Sequence, residues 1–88
     1  MVKYPELIAF ILRAKNRKQI LFLLEKQDMY PGNIAKATKM YKSHVTRALK
    51  ELESKKLIQC KNPNDRSYKF YGITELGKKL LREIRRAI

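Results

Sequence analysis

The stretch "IAKATKMYKSHVTRALKEL" runs from Ile34 to Leu52 and decides how the chain must fold. Its second half places Val45, Ala48, Leu49 and Leu52 at helical spacing, so one side of a helix is apolar. The other side holds Lys42, Ser43, His44, Thr46, Arg47 and Lys50, a mixture of short polar groups and cations. The first half makes a shorter helix with Ile34, Ala35 and Ala37 inward, and "KM" leaves room only for a tight connection. Ala35 lies ten residues before Val45, and Leu49 follows four later. A small side chain at Ala35 lets the two helices approach, and Val45 fills the angle between them. Two short helices joined in this way, the second basic on its free side, define a helix-turn-helix.

Upstream, Pro5 suits the first turn of a helix carrying Leu7, Ile8, Ile11 and Leu12, with Phe10 widening the apolar stripe. Asn16 and Gln19 have the spacing of a capping box, opening a helix that buries Ile20, Leu21, Leu23 and Leu24. "YPGN" then breaks the chain before the helix-turn-helix. Downstream, "LIQCK" and "SYKFYGI" alternate apolar with polar residues around the turn-forming "NPND", which predicts a β-hairpin. Thr74 can cap a last helix, striped by Leu76, Leu80, Leu81, Ile84 and Ile88. Its other face carries Lys78, Lys79, Arg82, Arg85 and Arg86. The prediction is one domain over residues 1–88, mostly α with a small β-hairpin. Helices are expected near 5–14, 17–27, 32–38 and 42–56, a hairpin over 57–73, and a helix over 75–88.

Twenty-one Lys and Arg against eight Asp and Glu give a formal charge of +13 over 88 residues. Such a field favours a polyanion: nucleic acid first, an anionic membrane surface second. One cysteine and one histidine leave no intrachain disulfide and speak against a structural metal, so neither metal nor cofactor is expected. The lone Cys60 reads as a small core residue or as a redox switch. No apolar run approaches the roughly 18 residues of a membrane span, and none has the form of a signal peptide. No glycine-rich phosphate loop or nucleophile motif is present, so no enzyme is expected. An intracellular protein fits these observations.

"IAKATKMYKSHVTRALKELESKKLI" followed by "NDRSYKFYGITELGKKL" resembles the winged helix-turn-helix domain of MarR-type and related bacterial and archaeal regulators. The matching pieces are Ile34-Ala35, Val45-Thr46-Arg47, Leu49, Leu52-Glu53, Leu57-Ile58, Asp65-Arg66-Ser67 and Ile73-Thr74-Glu75 with Gly77. The resemblance implies sequence-specific binding of double-stranded DNA by a transcriptional regulator, and so a cytoplasmic, nucleoid-associated protein of a prokaryote. The helix at 42–56 would enter the major groove, and the hairpin would lie as a wing on the backbone or minor groove. Lys42, Ser43, His44 and Arg47 are then the expected base-reading residues, with Thr46 and Lys50 nearer phosphates. In the wing, Arg66 matches the family's wing-tip arginine, Asp65 orients it or closes the turn, and Asn62, Asn64, Ser67 and Lys69 can reach phosphates. Two departures stand out: Lys39 holds a turn position where the family favours glycine, and Tyr41 replaces its usual serine or threonine cap.

The apolar stripe of Leu7, Ile8, Phe10, Ile11 and Leu12 exceeds what one side of a small domain needs. Paired with Leu80, Ile84 and Ile88 of the last helix, it predicts a homodimer interface. No small-molecule effector is evident. An RNA-binding or chromatin-architectural winged-helix module would share the same charge and is the alternative.

Overall fold

The computed structural model describes residues 4–65 and 68–87. In chain order these residues form α1 (Pro5–Leu12), α2 (Lys15–Lys26), α3 (Pro31–Thr38), α4 (Lys42–Ser54), β1 (Ile58–Cys60), β2 (Tyr71–Ile73) and α5 (Glu75–Ala87). This is a winged helix-turn-helix with a flanking helix at each end. Helix α2 is its centre and packs against α1, α3, α4, α5 and β2. The core joins Ile20, Leu21 and Leu24 of α2 to Val45, Ala48, Leu49 and Leu52 of α4 and to Leu80, Leu81 and Ile84 of α5. Each set recurs at three- and four-residue intervals, the spacing that puts side chains on one helical face.

The wing is an antiparallel pair with Ile58 opposite Ile73, Gln59 opposite Gly72 and Cys60 opposite Tyr71. Its regular strands are shorter than the predicted hairpin, and most of 61–70 is loop. Met29, just before α3, adds an antiparallel bridge to Tyr71 through bonds of 2.9 and 3.0 Å. The wing is thereby tied to the start of the helix-turn-helix, a contact no local pattern announces. Cys60 is half-buried against the core, with its thiol 3.5 Å from Asn62 Oδ1.

Two backbone joints set the angle of α4. At its start, Lys39 ends α3 in the left-handed region (φ 60°, ψ 26°), the conformation glycine usually supplies. At its end, Lys56 is also left-handed, with φ 62°. Lys56 N–H donates to Glu53 O at 2.9 Å and Leu57 N–H to Leu52 O at 3.1 Å. That pair of bonds is a Schellman cap, and the buried side chains of Leu52 and Leu57 accompany it. Thr74 then fastens the wing to α5: its hydroxyl donates to Lys56 O at 2.8 Å and accepts from Gly77 N–H at 3.1 Å. A Cβ at Gly77 would lie 2.4 Å from the Leu57 carbonyl oxygen, so only glycine admits this approach.

Several sequence expectations are corrected. Helix α2 begins at Lys15 behind Ala14 with no side-chain cap bond, so Asn16 and Gln19 do not form the capping box. Ala37 faces solvent. Ile11, Leu80 and Ile84 are consumed in the chain's own core and leave no surface for a dimer partner. Phe10 is covered from within: the Arg17 guanidinium stacks 3.9 Å from its ring centroid, and Lys55 Nζ lies at 5.6 Å. Of the predicted interface, Leu7 and Ile8 remain half-buried, Leu12 is 52% exposed, and Ile88 lies outside the described residues.

Candidate nucleic-acid interface

Helix α4 is built to present one face. Val45, Ala48, Leu49 and Leu52 are buried, whereas Lys42, Ser43, His44, Thr46, Arg47 and Lys50 are all exposed. At 3.6 residues per turn the exposed set divides into rows. Lys42, Thr46 and Lys50 form the row facing the wing and line a cleft there. His44 and Arg47 flank the other side, beside Ala14, Asn16, Arg17 and Glu51. Ser43 lies between the two rows.

Individual groups differ in what they have left to offer. Thr46 Oγ1 donates to the Lys42 carbonyl at 3.0 Å, so its proton is spent within the helix. Its methyl and lone pairs remain, which suits a base edge better than a phosphate. Among the described residues, Lys42, Arg47, Lys50 and Lys69 form no ion pair, and their charge is available to a partner. Tyr41, at the cap position of α4, makes no side-chain cap bond and is 78% exposed. Its ring instead meets the His44 imidazole edge-on at 5.7 Å.

Arg17 braces this face from behind. It donates to Glu51 through Nε at 3.3 Å and Nη2 at 3.1 Å, and to the Phe10 carbonyl through Nη1 at 2.7 Å. One guanidinium thus holds α1, α2 and α4 together. It also engages Glu51, which lies beside His44 and Arg47 and would otherwise oppose an anionic partner there.

In the wing, Asn64 and Lys69 are exposed, while Arg66 and Ser67 lie outside the described residues. Asn62 is not free for phosphate. Its Oδ1 accepts from Phe70 N–H, and its Nδ2 donates to the Tyr68 carbonyl, both at 2.6 Å. Asp65 closes the turn, accepting from Tyr68 N–H at 3.0 Å.

Residues that carry no signature in the sequence complete the surface. Tyr30, Pro31, Gly32 and Asn33 at the start of α3 join Tyr68, Lys69 and Tyr71 of the wing and the Lys42 row of α4 around a cleft of about 690 Å³. The available signal was the placing of Tyr30 and Tyr68 in turn segments, where no apolar stripe requires an aromatic ring. Burial pushes the Tyr71 phenol above its ordinary value, with Glu53 and Cys60 adding to the shift. Among the described residues, no three His, Cys, Asp or Glu side chains come together as a metal site.

Residues 14–59, just over half of the chain, match the sequence profile of the bacterial regulatory protein ArsR family. The chain belongs to that family. Its structure is that of the MarR-like winged helix. ZitR of Lactococcus lactis superposes with a TM-score of 0.74 and 28% identity, over 83% of this chain and 51% of ZitR. ZitR is described as a zinc-responsive MarR family member and has also been solved in complex with DNA. The adhesin competence repressor AdcR of Streptococcus pyogenes gives 0.73 and 27%, over 84% of this chain and 55% of AdcR. The transcriptional regulator Tm0710 of Thermotoga maritima gives 0.76 over 90% of this chain and 60% of its own, but at 24% identity it speaks to the fold alone. This chain therefore spans between half and two thirds of the length of these structures. No curated protein sequence matches it. A profile from one regulator family and structures from another meet on a shared scaffold, which fixes architecture before partner.

Proposed function

We propose that this regulator binds double-stranded DNA sequence-specifically as a homodimer, with α4 in the major groove and the wing on the backbone or minor groove. The observation that carries the reading is the division of α4. Four apolar residues anchor it to the core, and six polar or cationic residues project together with no acid among them. The major groove admits a helix of this width, and its base edges offer hydrogen-bond partners to Ser43, His44 and Arg47. Lys42 and Lys50 supply phosphate contacts, and Asn64, Arg66, Ser67 and Lys69 extend them along the wing. The DNA complex of ZitR, a structural neighbour, supports duplex DNA as the partner.

Dimerisation is proposed through α1. Leu7, Ile8 and Leu12 keep accessible apolar surface beside the exposed Tyr4. The outward face of α5 is a poor seam, because Lys79 and Arg82 would meet their own copies across a two-fold axis. A two-fold dimer sets its reading helices one DNA turn apart, about 34 Å. Among the described residues no three His, Cys, Asp or Glu side chains come together, and the zinc response of ZitR forms no part of this proposal. Nucleoid association follows if duplex binding is the function.

Binding to a mixed-sequence duplex and to a structured RNA across salt, with Arg47→Ala beside the parent, tests the proposal. Duplex binding weakened by the substitution supports it, by roughly 1–3 kcal/mol and with little change in the log–log salt slope, as expected where Arg47 meets a base edge and not a phosphate. Equal or tighter RNA binding that ignores the substitution favours the RNA-binding alternative.

A further inference from the structure

The cleft between α4 and the wing holds more aromatic surface than a phosphate backbone requires. Tyr30 packs tilted on Phe70 with centroids 4.7 Å apart, and meets Tyr68 edge-on at 6.4 Å. Tyr68 is pinned at its backbone on both sides, by the bonds to Asp65 and Asn62, yet 71% of it is exposed. An aromatic side chain carried on an ordered backbone but left in water forgoes the burial that normally accompanies it. Lys42, Lys50 and Lys69 stand around the same opening, with Asn33 offering an amide. A volume of about 690 Å³ is within the range of clefts that hold small planar ligands, roughly 300–1,000 Å³.

We propose that this cleft accepts an unpaired DNA base stacked on Tyr68, with the flanking phosphates on Lys42, Lys50 and Lys69, so that the protein engages single-stranded as well as double-stranded DNA. A duplex keeps its bases stacked on one another and offers the cleft only sugar and phosphate. A single strand offers free π faces, and aromatic rings beside a cationic groove are how proteins hold such strands. The inference rests on reading this face as the DNA-binding one and shares Lys42, Lys50 and Lys69 with it; the side chain it adds is Tyr68. Arg47 lies on the far row of α4, away from the cleft.

The test measures fluorescence anisotropy with a labelled oligothymidylate of about ten nucleotides, a length within single-strand site sizes, and with a mixed-sequence duplex. The proteins are the parent, Tyr68→Ala, Tyr68→Phe and Arg47→Ala. Tyr68 is exposed, so its replacement leaves the fold intact, which circular dichroism checks. Tyr68→Ala is expected to weaken oligothymidylate binding roughly five- to a hundredfold, the effect of losing one base–aromatic stack. It should weaken duplex binding less than strand binding, and Tyr68→Phe should retain strand binding because the ring remains. Strand binding by Tyr68→Ala equal to the parent's overturns the inference, as does an equal loss in Tyr68→Phe. Loss of duplex binding in Arg47→Ala reports separately on the proposed function. If that loss fails to appear while Tyr68 behaves as stated, the cleft stands and the major-groove reading falls.

Discussion

Replacing Lys56 with glycine will stabilise the protein, although it removes a side chain and a charge. Lys56 holds φ 62° at the end of α4, where its N–H closes one bond of the Schellman cap. An L-residue in that region costs about 1–2 kcal/mol. Glycine avoids that strain but loses more backbone entropy on folding, about 0.5–1 kcal/mol. Taking the middle of each range, the difference is a gain of about 0.75 kcal/mol. For a domain of this size that raises Tm by about 3–6 °C. Lys56→Ala removes the same charge and keeps the strain, so it serves as the reference. Lys55→Gly, one residue earlier at φ −94°, relieves no strain and still loses the entropy. Thermal unfolding followed by circular dichroism, all four proteins in one buffer, reads the result. A Tm for Lys56→Gly at or below that of Lys56→Ala would refute the strain account of this joint.

Three further outcomes follow from named contacts. Arg17→Ala should cost about 1–2 kcal/mol in urea unfolding, the value of charged hydrogen bonds discounted for partial exposure, and Arg17→Lys should recover less than half because lysine cannot make the forked pair. Gly77→Ala, which would gain about 1 kcal/mol in an open helix, should instead lose about 1–3 kcal/mol through collision with the Leu57 carbonyl. The raised pKa of Tyr71 means that the folded state favours the neutral phenol. Its contribution to stability is therefore complete below the ordinary value of 10.0 and is lost as pH rises through the higher folded value. The stability difference between the parent and Tyr71→Phe should shift against the parent over that alkaline window, as read by urea unfolding at stepped pH.

The winged helix-turn-helix was legible because its determinants are local. Val45, Ala48, Leu49 and Leu52 repeat at helical spacing, and all four are buried. Thr74 sits three residues before the Gly77 N–H that it caps. What escaped the sequence depends on residues far apart in the chain. Arg17 and Glu51 are separated by 34 positions, and nothing near either one signals their pairing. The Met29–Tyr71 bridge is equally remote. Phe10 reads as surplus apolar surface because a single sequence cannot show that Arg17 covers its face. Lys39 stands out as a departure from glycine, whereas the matching strain at Lys56 does not, since lysine carries no mark of a left-handed backbone. The cleft is hidden for the same reason as the ion pair: Tyr30, Lys50 and Tyr68 meet only once α3, α4 and the wing are assembled.

An NMR titration of the labelled protein with duplex DNA, following every backbone amide, bears hardest on the role of α4. If α4 is the reading element, the largest shifts fall at Lys42, Ser43, Thr46, Arg47 and Lys50, with a second group at Asn64 and Lys69. Shifts concentrated at Lys79 and Arg82 on α5, with α4 unmoved, would contradict it.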